Sequence, residues 1–103
     1  MVFRFKMKII KINNLKGTIF QKKVWRALCD IPKGKTITYK ELAKKIGRPR
    51  SARAVANAVG ANPMTIIIPC HRVVRTNGTL GGYSGKGGIK TKQALLRKEG
   101  VKI

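Results

Sequence analysis

A chain of 103 residues is the length of one domain, and 43% hydrophobic residues are enough to give it a core. Its 24 lysines and arginines stand against 3 acids, a formal net charge of +21 that opposes compactness unless a polyanion offsets it. No apolar run approaches the roughly 20 residues of a membrane span, and the start, "MVFRFKMKII", lacks the apolar core and cleavage site of a signal peptide, so a cytoplasmic chain with both cysteines reduced is expected.

Residues 1–16 read as a short N-terminal strand or arm, because Val2, Phe3, Phe5, Met7, Ile9, Ile10 and Ile12 roughly alternate. Gly17-Thr18 opens a first helix with Thr18 as N-cap. Phe20, Val24, Leu28 and Ile31 share one face with Trp25 beside them, and Cys29 is expected to be a packed structural cysteine. Pro32 and Gly34 stop this helix. Thr36 to Thr38 make a short extended link, followed by a second helix from about Tyr39 to Ile46 with Leu42, Ala43 and Ile46 inward.

"GRPR" is a turn with a basic rim, and Ser51 can cap a third helix, "SARAVANAVGA", with Ala52, Val55, Ala56 and Val59 inward. Helix, short glycine-containing turn and small-residue helix form the pattern of a helix-turn-helix, although any αα-hairpin reads the same way. The positive charge favours DNA as the partner. An anionic membrane surface is the second candidate, and no basic amphipathic helix supports it.

Ile66, Ile67 and Ile68 form a short buried run. Asn77-Gly78 between β-type residues signals a type I′ hairpin. "GGYSGKGG" reads as a flexible loop and not a phosphate loop, since the terminal Lys-Ser/Thr is missing. A last helix spans about Thr91 to Glu99 and stops at Gly100, a residue suited to a C-terminal cap. The fold class is therefore α/β, mostly helical, with a helix-turn-helix and a small β element.

The chemistry concentrates in "IPCHRVV". A thiolate is the nucleophile, and a thiol of ordinary pKa near roughly 8.5 is mostly protonated at neutral pH. Cys70 therefore needs a base and an orienting group behind that base. His71 is the only histidine. Neighbouring side chains often point apart, so relay through a water is expected. Of the acids, Asp30 ends the first helix and Glu41 lies on the exposed face of the second. Glu99 is left by elimination; otherwise it is a surface acid near a helix end, where the dipole disfavours it. Zinc is not expected, because Cys29, Cys70 and His71 are the only soft ligands and lack finger spacing.

"IPCHRVV", "NPMTIIIPCHRVV", "SARAVANAVGANP", "ITYKELA" and "GGYSG" together resemble the C-terminal domain of the O6-alkylguanine-DNA alkyltransferases, also called methylated-DNA–protein-cysteine methyltransferases. The likeness runs from about Gly17 to Gly100. It implies a winged-helix-like fold and a single-turnover DNA repair reaction in which Cys70 takes the alkyl group irreversibly. It implies that His71 is the base through water with Glu99 behind it, that Asn62 orders the active-site turn, and that Tyr39 crowds a phosphate and donates to the base.

The same resemblance makes Arg53 the finger that fills the place of a flipped base. It sets Tyr39, Thr38, Arg50, Ala52, Ala54 and Asn57 on the DNA face, and Tyr83, Ser84 and Val73 around the substrate pocket. The implied partner is double-stranded DNA containing O6-alkylguanine, bound through its minor groove by a monomer without cofactor or metal. Relative to the family, 1–103 would be a single domain without the usual N-terminal domain, and the loop after Ser84 is longer than the common pattern. The alternative is an alkyltransferase-like protein that binds O6-alkylguanine without repairing it; such relatives usually carry tryptophan where Cys70 stands. A third reading is a generic basic DNA-binding protein with an inert thiol.

Overall fold

The computed structural model describes residues 11–65, 67–77, 79–83 and 85–103. The strand or arm expected over 1–10, Ile66 of the isoleucine run, Gly78 of the hairpin signal and Ser84 of the pocket lie outside the described residues. Residues 11–14 are helical, not extended. The reason lies in the partners of this turn. Ile12 is buried in the core, the Asn13 carbonyl accepts from Lys22 Nζ at 3.1 Å, and Asn13 Oδ1 accepts from Arg26 Nη1 at 2.9 Å. Over so short a stretch, alternation and helical periodicity cannot be told apart.

Helix α1 spans Ile19–Leu28 and opens with a full capping box. Thr18 Oγ1 accepts from the Gln21 amide at 3.0 Å, and Gln21 Oε1 accepts from the Thr18 amide at 2.9 Å. Val24, Trp25, Ala27 and Leu28 are buried, as the apolar spacing predicts. Gly17 is required here, since a Cβ would come within 2.8 Å of the Trp25 ring. Trp25 Nε1 donates to the Ala58 carbonyl at 2.9 Å, a buried bond that joins the first helix to the third.

Strand β1 is Ile37–Thr38, and helix α2 is Tyr39–Lys45. Thr38 and Glu41 form a second capping box, so the exposed acid of this helix has a local role that its exposure alone did not reveal. The turn after α2 is a Schellman motif: Gly47 has φ +79°, the Arg48 amide donates to the Ala43 carbonyl at 2.8 Å, and the Gly47 amide to Lys44 at 3.0 Å. Helix α3, Ala52–Gly60, follows and packs across α2 as the second arm of a helix-turn-helix. Ser51 precedes it without making a side-chain cap, against expectation, because its φ −110°, ψ 29° is not the extended conformation of a capping residue.

A 3-10 turn, Cys70–Arg72, leads into strand β2, Val73–Val74. The β element is a parallel pair, with Ile37 opposite Val73 and Thr38 opposite Val74. Beyond β2 the Arg75 amide donates to the Thr79 carbonyl at 3.0 Å and closes the loop between them. Asn77 Oδ1 holds it by accepting from the Thr79 amide and hydroxyl at 3.1 and 2.8 Å. Helix α4 is Gly88–Lys98, starting earlier than the expected Thr91. Gly87, at φ +91°, makes the entry that the glycine-rich reading assigned to a loop. Gly100 closes α4 with another Schellman pair, Val101 to Leu96 and Gly100 to Arg97, both 3.0 Å.

The core gathers Ile12, Val24, Trp25, Leu28, Ile31, Leu42, Val55, Val59, Ile68 and Val73, with Cys70 at its edge. Cys29 is half-buried against this core, and no disulfide joins it to Cys70. Among the described residues no helix is long and apolar enough to cross a membrane.

Candidate active site

A cavity of about 440 Å³ opens beside α3. Cys70 lies on its boundary. Ala52, Arg53, Ala56 and Asn57 line it from α3, and Tyr39 from the first residue of α2. Arg75, Gly82 and Tyr83 close the remaining side. The small side chains of α3 leave room, and Arg53 and Asn57 stand exposed at the mouth. Gly81 allows close packing behind Tyr39: its φ is +76°, and a Cβ there would sit 3.4 Å from the Tyr39 hydroxyl.

Cys70 is 4% exposed. Burial pushes its thiol pKa up, and a hydrogen bond from the Asn62 side chain and the charge of Lys92 act against that rise. Asn62 is itself buried. It donates through Nδ2 to the Ile68 carbonyl at 2.8 Å and accepts at Oδ1 from the Met64 amide at 2.9 Å. One amide thus clamps both sides of the turn that delivers the cysteine.

His71 is buried, and its Nε2 lies 3.0 Å from Glu99 Oε2. Burial pushes the Glu99 carboxyl up, but hydrogen bonds from Arg72 and His71, with their charges, outweigh it and hold the carboxyl at about 2. An ionised carboxylate can only accept, so Nε2 carries the proton. In the neutral ring Nδ1 then has the free lone pair. Nδ1 is buried and has no hydrogen-bond partner among the protein atoms. Buried polar atoms are normally satisfied by protein or ordered water.

Arg72 completes this arrangement. Its Nε and Nη2 grip Glu99 at 3.0 and 2.7 Å, and Nη1 donates to the Ile31 carbonyl at 2.8 Å. The two-pronged grip offsets the unfavourable placement of an acid at the end of α4. Tyr39 is pushed up by burial and by the Cys70 charge, while Arg75 pulls the other way. Tyr83 is also pushed up by burial, against a hydrogen bond with Thr65.

The structure therefore brings Cys70, Tyr39, Arg53, Ala52, Asn57 and Tyr83 to one cavity, with Asn62, His71 and Glu99 supporting it from behind. Val73 does not belong to the pocket. It is fully buried in β2 opposite Ile37, where strand pairing turns it into the core. Thr38 is not a cavity residue but the cap of α2, and Ala54 and Arg50 are exposed away from the lining. Sequence reasoning missed Arg72, Arg75 and Lys92. Arg72 had a signal, being the cation beside the one histidine. Lys92 had a fainter one, since it stands four residues before Leu96 on the inward face of α4.

These features define a small, basic, mostly helical DNA-binding domain in which one arm of the helix-turn-helix walls a cavity with a thiol at its base. Residues 19–101 match the family described as "6-O-methylguanine DNA methyltransferase, DNA binding domain", and the chain belongs to that family. It is 55% identical over 83 residues to the methylated-DNA–protein-cysteine methyltransferase of Methanosarcina barkeri, covering 81% of this chain and 51% of that protein. The solved Mycobacterium tuberculosis OGT in complex with DNA superposes with a TM-score of 0.78 at 54% identity, covering 82% of this chain and 52% of that one. Schizosaccharomyces pombe Atl1, solved with damaged DNA containing O6-carboxymethylguanine, superposes with a TM-score of 0.73 at 37% identity, covering 86% of this chain and 82% of that one. The chain spans about half the length of the methyltransferases it matches.

Proposed function

We propose that this chain repairs DNA by direct reversal, moving an alkyl group from the O6 atom of guanine to Cys70 in a single irreversible turnover. The observation that carries this reading is the arrangement around one thiol: Cys70 at an open cavity, and a following histidine whose Nε2 is tied to Glu99 while Nδ1 is left as a free base. His71 takes the thiol proton through a water on Nδ1. The sulfur attacks the alkyl carbon, the S–C bond forms and the C–O6 bond breaks. Guanine leaves with the bond's electron pair, and the Tyr39 hydroxyl at the cavity wall supplies its proton. The balance needs no cofactor or metal.

A base inside a duplex cannot reach a thiol this deeply set, so the guanine must be flipped out, at a cost of about a few kcal/mol. Arg53, exposed at the mouth on α3, is placed to fill the gap in the stack. The small residues of α3 suit close approach to the minor groove, with Arg50, Ala54, Asn57 and Thr38 on or near the approaching side. Sequence-independent contact there serves repair better than the major-groove code. The methyltransferase relatives and the DNA-bound neighbours support repair on DNA.

The test is intact mass after incubation with excess duplex containing O6-methylguanine. One methyl mass per chain is expected, mapped to the peptide holding Cys70 and absent in Cys70→Ser, while Cys29→Ser transfers normally. Transfer that persists in Cys70→Ser, or many turnovers per chain, overturns the mechanism. Binding of the lesion with no gain of mass gives instead the lesion-binding reading, which the likeness to Atl1 keeps in view.

A further inference from the structure

Among the described residues Lys92 is the one cation that is fully buried. Its ammonium donates to three backbone carbonyls, Val73 at 2.6 Å, Leu80 at 2.5 Å and Gly82 at 3.2 Å. Val73 begins the strand that leaves the Cys70 turn, and Gly82 lines the cavity. The same ammonium lies 5.9 Å from the centre of the Tyr39 ring. All 3 acids of the chain are engaged elsewhere: Asp30 faces Lys45, Glu41 caps α2, and Glu99 holds His71 and Arg72. Lys92 therefore keeps a buried charge without a carboxylate. Such a charge is costly to bury, and the three carbonyls offset that cost by accepting from it.

We propose that Lys92 is a positioning residue for the thiol reaction, tying the cavity wall to β2 and supplying the positive charge against which the Cys70 thiolate forms. The proposal rests on Cys70 being the reacting group. The ammonium is bonded to Gly82, which lines the cavity together with Cys70, so the two charges act on one another. Burial pulls Lys92 down to about 8, the Cys70 charge acts against that fall, and Arg75 adds to it. Lys92 in turn opposes the rise that burial imposes on Cys70. The titratable and charged groups around the ammonium are thus Cys70, Tyr39 and Arg75, and at neutral pH it remains mostly charged.

The test uses the full chain in a Cys29→Ser background and iodoacetamide, whose iodide is displaced by the thiolate to leave a thioether. The rate is followed against pH for the parent, Lys92→Met and Lys92→Gln. Methionine removes charge and donors, whereas glutamine removes the charge and keeps two donors. Both substitutions should raise the apparent ionisation pH of Cys70 by about one unit, a roughly tenfold slower reaction at pH 7, with glutamine no better than methionine. A parent-like profile in either variant overturns the electrostatic role, and recovery by glutamine alone reduces Lys92 to a hydrogen-bonded tether. If neither variant folds, the parent gives the answer through reciprocity. Lys92 titrated by side-chain NMR should have a lower apparent pKa once Cys70 is blocked by iodoacetamide, and an unchanged value overturns the proposal. Neither measurement uses alkylated DNA, so failure of methyl transfer by the parent would refute the repair reading without touching this result.

Discussion

The two sides of the Cys70 cavity are built on opposite principles. Behind the thiol, His71, Glu99 and Arg72 are buried or nearly so, and each is fixed by named partners 2.7–3.0 Å away. In front, α3 presents exposed Arg53 and Asn57 over small side chains, without a side-chain cap at its start. Low dielectric strengthens the contacts of the rear, and burial excludes competing water. The front is open and cationic, able to meet a polyanion of any sequence. On the proposed repair reading, chemistry belongs to the first side and encounter to the second.

Salt should separate the two sides by the largest margin. If the basic front contacts about six phosphates, duplex affinity should fall about 10³-fold between roughly 50 and 200 mM salt. The reaction of free O6-benzylguanine, which needs only the cavity, should hardly change over that range. Equal salt dependence of both, read by fluorescence anisotropy and by mass, would erase the distinction.

Next in size is a break on the rear side. Glu99→Gln should slow transfer about 10²-fold for duplex and free base alike, and move the acid limb of the pH–rate profile. The same carboxylate predicts how the fold responds to acid. Its folded pKa is about 2 against an ordinary 4.5, so its stabilisation is complete above pH 4.5 and is lost as the pH falls through about 2. Glu99→Gln should flatten that part of the curve of stability against pH. An unchanged curve would mean that the Arg72 grip adds nothing in solution.

A break on the front side should be selective. Arg53→Ala should slow repair of duplex about tenfold, because filling the stack is lost, and leave the free-base reaction as it was. Equal slowing of both reactions would move Arg53 from encounter to chemistry. The smallest effect concerns the two helix starts. Thr38→Ala removes a capping box and should cost about 1 kcal/mol in urea unfolding. Ser51→Ala, at a start where no cap forms, should cost a few tenths at most.

Much of the framework is local, and for that reason it is legible in the sequence. Thr18 as cap, Gly47 and Gly100 as stops, the apolar face of α1 and the helix-turn-helix all follow from residues within a turn or two of one another. The adjacency of Cys70 and His71 is covalent, and with only 3 acids in the chain, elimination leaves Glu99 as either the partner of the histidine or a surface acid near a helix end. What the sequence leaves open depends on contacts between distant segments. His71 meets a carboxylate 28 residues away, and Lys92 reaches a carbonyl 19 residues back.

Residues 11–14 take a helix because Ile12 finds the core and Asn13 finds α1, not because their own pattern decides it. Val73 is core instead of pocket because β2 pairs with a strand from before α2. Lys92 is the sharpest case. In a chain with 24 basic residues nothing local marks one of them for burial, since whether an ammonium faces water or three carbonyls is set by how α4 lies against the loop after β2.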